Sequence, residues 1–445
     1  MANEPIISIS GLRGIIGETL TPIVACNYVA AFAAEAPDGP IVVSRDGRAT
    51  GTMMANAVNA ALSASGRAVI YADVAATPTT GVLVRHLEAA GGIQISASHN
   101  PPEYNGLKLF AANGRIIGAE AGQRVLDRYR SGDVTWKSHD VIGSIVNHGD
   151  VHEPHLRLVL GTVDVEKIRS KRFRVLLDSN NGSGSLLGKR LLDELGCEVI
   201  AVGDTPNGHF GHTPEPTEAN LAGIAERVRA EDVAVGFCQD PDADRLAMID
   251  ENGRYIGEEY TVSITVNHRL SQTKGPIVTN CSTSRMAQDL AEQNGVEFFR
   301  SKVGEANVCD LMIEKEAVFG GEGSGGPIDP RVGFVRDSFV GMAMTLDAMA
   351  STGKSLSELT NELPRYEIYK DKTTVSSDAV AAVFAKLESE FSDATPDRMD
   401  GLRLDWDDKW LLVRASNTEP IVRFIAEAKT LDDAKHVCDV ARSLI

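Results

Sequence analysis

One plan occurs three times along this chain, and it limits the fold more than any other feature. "IVVSRDGRATG" leads into "TMMANAVNAALSASGRAVIYADV", "FRVLLDSNNGSG" into "SLLGKRLLDELGCEVIAVGD", and "GPIVTNCSTSR" into "MAQDLAEQNGVEFFRSK". Each copy opens on a short run rich in Val and Ile, the pattern of a buried strand, and continues into a polar or glycine-bearing loop. A stretch with helical rhythm follows. In the second copy Leu186, Leu187, Leu191, Leu192 and Leu195 mark out one helix face. Gly66, Gly196 and Gly295 stand where such helices stop, and a second apolar run comes next. Three β-loop-α-β units predict α/β domains with largely parallel or mixed sheets.

The last part differs. After "GKSLSELTNELPRY" come a helix, "AVAAVFAKLESEF", two alternating strands, "GLRLDW" and "KWLLVRAS", then "IVRFIAEAK" and a closing helix. This reads as a compact α+β domain. The 445 residues have room for three or four domains. Boundaries near residues 150, 255 and 365 divide the chain into 1–150, 151–255, 256–364 and 365–445. Residues 135–153, mixed and polar, read as a connection.

Composition narrows the function. With 43% hydrophobic and 24% charged residues the chain is an ordinary soluble protein with enough apolar content for several cores. It has no apolar run of the roughly 18 residues that would span a membrane, and no basic region before the apolar part of its N-terminus. The six cysteines, Cys26, Cys197, Cys238, Cys281, Cys309 and Cys438, are scattered without C-x-x-C spacing. That argues against structural zinc or a disulfide framework and fits a reducing cytoplasm. A net charge of −18 disfavours nucleic acid and anionic lipid as partners. An anionic substrate therefore needs a local gathering of arginine and lysine.

Four loops carry chemistry. In "ISASHNPPEYNGLKLF", Pro101 and Pro102 stiffen the turn, Gly106 permits its tightness, and Ser98 is expected to point outward. The nucleophile-elbow pattern G-x-S-x-G is absent, and the neighbouring Ser98 and His99 do not form a simple hydrolase pair. Lys108 could return to the serine, and a lysine or histidine beside a phosphorylated serine suits proton transfer. Taken alone, Ser98 reads as a serine that caps a helix or turn. In "GFCQDPDADRLAMID", Asp240, Asp242 and Asp244 place three carboxylates on one side of an extended loop, which repel unless a cation sits among them. Oxygen ligands suit Mg²⁺ or Ca²⁺, and Arg245 beside them would face phosphate. Glu251 stands twelfth from Asp240, but Arg245 occupies the sixth position, where an EF-hand needs glycine. In "FGGEGSGGPIDP", Glu322 and Ser324 suit sugar hydroxyls. In "LLVRASNTEPIVRF", Arg414, Ser416, Asn417, Thr418 and Arg423 make an anion site. One loop falls in each domain, which suits a cleft between four domains.

These segments resemble those of the α-D-phosphohexomutase family, which comprises phosphomannomutases, phosphoglucomutases and phosphoglucosamine mutases. "SASHNPPEYNGLK" resembles its phosphoserine loop, "DPDADR" its metal loop, "GEGSGG" its sugar-recognition loop and "RASNTEP" its phosphate loop. "SGLRGIIG" carries over Arg13 as a phosphate-site arginine, and "SKVGE" makes Lys302 a ligand contact. The resemblance implies four domains, three of them alike, around a central cleft. It implies Ser98 phosphorylated at rest, a hexose 1,6-bisphosphate intermediate and activator, and one Mg²⁺ held by the three aspartates and the phosphoserine oxygen. Lys108 takes the place of the general base, with His99 and Arg245 assisting. The partner it implies is a small phosphosugar, and the chain acts as a monomer or homodimer. One departure stands out: where family members often carry histidine, this chain has Gly326. The "GEG-x-GG" pattern resembles that of a phosphoglucosamine mutase subgroup, and the bare Gly323 leaves little side chain to police C2, so that amine and hydroxyl can both be accepted; glucosamine phosphate is the favoured sugar, with mannose and glucose phosphates as alternatives. A non-catalytic phosphosugar-binding protein would show damage at Ser98, Lys108 or the aspartates, and none is present. A magnesium-dependent sugar phosphatase would have no use for so distant a phosphate loop.

Overall fold

The computed structural model describes residues 4–8, 11–374, 380–415 and 421–444. Among the described residues twenty strands form four sheets. The first sheet contains β1 (Ile6–Ser8), β2 (Gly11–Ile15), β3 (Ile41–Arg45), β4 (Val69–Val74), β5 (Gly91–Ile95), β6 (Tyr104–Ala111) and β7 (Ile145–Asn147). The second contains β8 (Arg174–Asp178), β9 (Glu198–Val202), β10 (Val235–Gln239) and β11 (Leu246–Asp250). The third contains β12 (Ile277–Asn280), β13 (Phe298–Ser301), β14 (Phe319–Glu322) and β15 (Gly326–Ile328). The fourth, antiparallel, contains β16 (Glu367–Thr374), β17 (Thr395–Asp397), β18 (Leu402–Asp405), β19 (Trp410–Ala415) and β20 (Ile421–Ala428).

The sequence repeat is a structural repeat. In the first three sheets the core order is the same: β6-β5-β3-β4, β11-β10-β8-β9 and β15-β14-β12-β13. The opening strand of each copy pairs in parallel with the next two, and the fourth strand returns antiparallel to the third. The helix between the first two strands ends at a glycine in the left-handed region, Gly66 at φ +81°, Gly196 at +72° and Gly295 at +65°. A side chain there would be strained, so glycine closes each helix. Of the leucines in the second copy, Leu187, Leu191, Leu192 and Leu195 are buried, while Leu186 faces solvent. The segment 135–153 is more than a connection: within it β7 adds a parallel edge strand to β4.

The second and third sheets share one continuous core that includes Leu177, Leu191, Phe237, Phe319, Phe339 and Leu346. The helix Ser338–Thr352 lies within it, with every residue from Ser338 to Ala350 buried. Such a helix is apolar all round because protein covers it on every side. Its first turn is capped by Asp337, whose Oδ1 accepts from Phe339 N and Val340 N. Asp337 Oδ2 also meets Nε2 of the buried His155 at 2.8 Å, and Nδ1 of that ring meets Thr79 Oγ1 at 2.9 Å. This polar chain ties the first three domains together. The fourth domain has its own core, including Leu387, Leu411, Phe424 and Cys438, and meets the third through Cys281, Trp410 and Leu412. Among the described residues no helix is long and apolar enough to cross a membrane.

Candidate active site

The repeat positions the chemistry. In each of the first three domains a loop joins the third strand to its antiparallel fourth: residues 96–103, 240–245 and 323–325. Each has a residue in the left-handed region, Ser98 at φ +50°, Ala243 at +56° and Gly325 at +80°. For serine and alanine this conformation costs about 1–3 kcal/mol and persists only where the surroundings enforce it. The second and third loops reach a cleft of about 1100 Å³ whose lining includes Arg13, Lys108, Arg245, Glu322, Arg336 and Arg423, and the first joins it through Ser98, which bonds Asp240 of the second.

Ser98 does not point outward. It is buried, and its Oγ donates to Asp240 Oδ2 at 2.7 Å. His99 Nδ1 is 3.4 Å from Ser98 Oγ. The cause is Arg48, a buried residue that the loop's own sequence does not announce. Its guanidinium donates to the carbonyls of Ser98, Asn100, Pro101 and Tyr104 at 2.6–3.0 Å and is held in turn by Asp46. Four carbonyls converging on one fork wind the loop inward, and the two prolines only stiffen what Arg48 has set. Ser96 completes the hold, accepting from Ser98 N and donating to Asp46 Oδ2. The signal for Arg48 was the loop after the first repeat strand, "SRDGR", which carries no motif of its own.

Asp240, Asp242 and Asp244 are fully buried, and one oxygen from each lies within 4.8 Å of the others. Lys108 on β6 does not return to the serine; its Nζ donates to Asp242 Oδ2 at 2.5 Å and Asp244 Oδ2 at 2.8 Å. Thr77 Oγ1 also donates to Asp242 Oδ2. Burial, then the charges of Asp242 and Asp244, push the Asp240 carboxyl well above the usual range. Burial acts the same way on Asp244, but Arg336, Lys108 and Arg245 overcome it and hold that group low. Burial would lower Lys108, yet Asp242 and Asp244 outweigh it and keep the ammonium above its usual value. Burial, then Arg245 and Arg13, push His99 down to about 3, so its ring is neutral at physiological pH. The Oδ1 atoms of Asp242 and Asp244 are buried with no hydrogen-bond partner. Orphaned carboxylate oxygens beside the Asp240–Ser98 contact fit a hard divalent cation. Glu251 takes no part: it is bonded to Ser357 on the far side of its strand, which removes the EF-hand alternative.

The sugar loop is held by a residue the sequence did not reveal. Arg336 is buried and donates to Glu322 Oε2 at 2.9 Å and Asp244 Oδ2 at 2.7 Å, and its Nε lies 3.2 Å from Glu305 Oε2. It therefore joins the sugar loop to the metal loop. Its place just before the Asp337 cap, at the mouth of the buried helix, fixes its backbone. Glu322 Oε1 accepts from Asn280 Nδ2 and Gly304 N, so the carboxylate is oriented before any ligand arrives. Ser324 lines the cleft. Lys302 is exposed, and its neighbours Val303 and Gly304 line the cleft instead. Arg13 lines it too, and burial lowers its guanidinium from the usual value.

Across the cleft the fourth sheet presents a row of cations. Arg414 on β19, Arg423 on β20 and Lys372 on β16 are direct partners in register. Directly opposed residues share a face, and like charges so placed repel. Lys370, two residues before Lys372, is on the same face and lines the cleft with them. Arg414 Nε is held by Asp400 Oδ1 at 2.8 Å, while Asp400 Oδ2 accepts from Val303 N of the third domain. The two lysines were missed because β16 reads as an ordinary alternating strand. Ser416, Asn417 and Thr418 lie outside the described residues.

Comparison with known proteins fits this arrangement. Models of the four phosphoglucomutase/phosphomannomutase domains match in order: alpha/beta/alpha domain I over residues 6–135, domain II over 153–253, domain III over 258–366 and the C-terminal domain over 369–443. A "Phosphoglucomutase/phosphomannomutase" of Thermococcus kodakarensis is 38% identical, over 98% of this chain and 97% of its own. A "Probable phosphoglucosamine mutase" of Methanopyrus kandleri is 33% identical, over 97% and 95%. The crystal structure of a phosphoglucomutase/phosphomannomutase family protein from Burkholderia thailandensis superposes with a TM-score of 0.86 at 26% identity, covering 99% of this chain and 97% of that one. The chain belongs to the phosphoglucomutase/phosphomannomutase family. It is an enzyme of the phosphohexomutase class, an intramolecular phosphotransferase.

Proposed function

We propose that this phosphohexomutase interconverts a hexose 6-phosphate and a hexose 1-phosphate through phosphorylated Ser98 and a 1,6-bisphosphate, with glucosamine phosphate as its preferred sugar. The observation that carries the reading is the one cleft that Lys108 and Arg245, beside the Ser98–Asp240 pair and the aspartate cluster, share with the row Arg414–Arg423–Lys372. The cation row grips the phosphate that does not react, with Arg13 and Arg245 nearer the serine. Glu322 and Ser324 align the ring hydroxyls. Lys108, an ammonium between Asp242 and Asp244, offsets charge at the transferring phosphoryl group and can act as the general base that the resemblance implies only once it has given up its proton, and the neutral His99 orients the serine oxygen. Magnesium, held by Asp240, Asp242, Asp244 and the Ser98 oxygen, supplies charge neutralisation at the transferring phosphoryl group when bound. Because a single row holds either phosphate, the bisphosphate can present its other end to Ser98. Most of the catalytic gain then comes from positioning.

The preference for the amino sugar rests on the "GEGSGG" loop. The name of the Thermococcus relative favours a second reading, a broad enzyme for mannose and glucose phosphates. The deciding experiment is a mutase assay with Mg²⁺ and a trace of hexose 1,6-bisphosphate, comparing kcat/KM for the 1-phosphates of glucosamine, mannose and glucose. A preference above about tenfold for glucosamine, or about 1.4 kcal/mol, supports the first reading. A flat profile supports the second. No turnover with any of the three overturns both.

A further inference from the structure

Gly323 lies at the centre of the sugar loop with no side chain to offer, and another residue has taken its place. A Cβ built on Gly323 would fall 2.0 Å from Oε1 and 2.1 Å from Oε2 of Glu259. Glu259 sits in the first turn of the helix Glu258–Gln272, the helix that runs beside β14 and β15 of the third sheet. Its carboxylate thus enters the loop from behind, between Glu322 and Ser324, and lines the cleft. Oε2 is fixed by Ser284 N at 2.9 Å. Among the described residues Oε1 has no hydrogen-bond partner, although the side chain is largely enclosed. The loop is anchored at the same point, where Gly323 N donates to Thr283 Oγ1 at 3.0 Å.

The chemistry of this corner is one-sided. Glu322 and Glu305 are engaged by Arg336, but Glu259 has no such cation, and Lys370 on the fourth sheet reaches it only through the field. Burial raises the Glu259 carboxyl to about 8, with Ser284 N–H and Lys370 opposing. A carboxyl so placed lacks a cationic partner, and a ligand ammonium would supply one.

We propose that Glu259 is a specificity-determining residue that pairs its free Oε1 with an amino group carried by the sugar ring, and so selects 2-amino-2-deoxyhexose phosphates over those with a hydroxyl. The assignment rests on the phosphohexomutase reading and names the group that would give it its amino-sugar preference. An ammonium in this corner gains a charge-assisted bond that a hydroxyl cannot match, while an acylated amine brings no charge and more bulk.

The test is the ratio of kcat/KM for glucosamine 1-phosphate to that for glucose 1-phosphate. It is measured for the wild-type chain, E259Q, E259D and G323A, with thermal melting of each. The expected result is a wild-type ratio above about ten that falls at least tenfold in E259Q and recovers partly in E259D. The flexible end of Glu259 can swing away from a new Cβ, so G323A folds, expels the carboxylate and gives the same fall. The double variant E259Q/G323A falls no further than either. A wild-type preference that survives in both E259Q and G323A overturns the role of Glu259 and leaves the amino-sugar reading standing. A wild-type ratio near one overturns the amino-sugar reading and this role with it, while turnover of both sugars leaves the mutase assignment intact.

Discussion

A Cβ on Gly326 would lie 2.4 Å from Cδ of Arg336 and 2.8 Å from its Cγ. The glycine and the arginine are therefore two halves of one feature. Where family members often carry histidine, this chain leaves space, and a buried guanidinium fills it. One cation then serves Asp244, Glu322 and Glu305 at once. Burial would lower its charge, but Asp244, Glu322 and Glu305 hold Arg336 well above its usual value.

Removing Arg336 strands three buried carboxylates. Breaking a buried ion pair from one side costs about 3–5 kcal/mol, so Arg336→Met is expected to lose stability of that size. Urea unfolding of the variant checks it, and a loss below about 1 kcal/mol would show that the three carboxylates find other partners. Gly326→His should be damaging too, since the ring and Arg336 cannot share the space.

Ser98→Ala removes the oxygen that would carry the phosphoryl group. It leaves the Arg48 carbonyl fork untouched, so the fold survives. We expect no turnover and no ³²P retained on the protein after incubation with labelled hexose 1,6-bisphosphate, with melting close to wild type. Ordinary turnover by this variant would sink the phosphoserine route.

The cation row predicts KM effects. Arg423→Ala or Arg414→Ala should each raise KM through a lost charge-assisted bond of about 1.5–3 kcal/mol, roughly 10- to 150-fold. Lys372→Ala should act in the same direction but less, because an ammonium is a point charge rather than a fork. Initial rates against substrate concentration settle both, and an unchanged KM in the arginine variants would remove this sheet from the site.

The aspartate cluster predicts metal binding that calorimetry can read without any substrate. Mg²⁺ should bind with one site per chain, and Asp242→Asn with Asp244→Asn should abolish the heat. Ca²⁺ should compete for the same oxygens. Saturable binding that persists in the double variant would place the cation elsewhere.

A pH effect follows from His212, whose Nε2 meets Asp178 Oδ2 at 2.7 Å. Burial lowers the imidazolium, but the hydrogen bond and charge of Asp178, with the Thr213 carbonyl, outweigh it and raise the group above 6.5. A group raised on folding contributes fully below its unfolded value and loses that contribution as pH rises through the folded one. Stability should therefore decline, as pH rises from the ordinary imidazole value through the raised one, by a part that is missing in His212→Gln. Urea midpoints across that range check it, and identical slopes in the two proteins would exclude the pair.

How much of this was legible in the sequence depends on the range of the interaction. The three repeat units, their helix-stopping glycines and the loops after them follow from local patterns, because strand and helix periods are written over neighbouring residues. Asp240, Asp242 and Asp244 are close in sequence and therefore visible as a cluster. Arg48, Glu259, Arg336, Lys370 and Lys372 were not visible. Each meets its site only through the fold, Arg48 some 50 residues from the carbonyls it binds and Arg336 92 residues from Asp244. Spacing carries no trace of such pairs. Ser98 was misplaced for the same reason: its loop looks self-contained, yet a distant arginine sets its direction.

The repeat has one more consequence. The loops at 96–103, 240–245 and 323–325 are eight, six and three residues long, yet they hang from the same pair of strands in the same order. Length and content vary while the anchor points do not. Each domain therefore works as a common socket, and the tool fitted to it differs: a buried serine in the first, an acidic cluster in the second, a glycine-rich turn beside Glu322 in the third. New substrate preference can then arise by changing one tool and leaving the other two sockets alone, and behind the shortest loop the space that a side chain at Gly323 would fill is already occupied by Glu259 from a neighbouring helix.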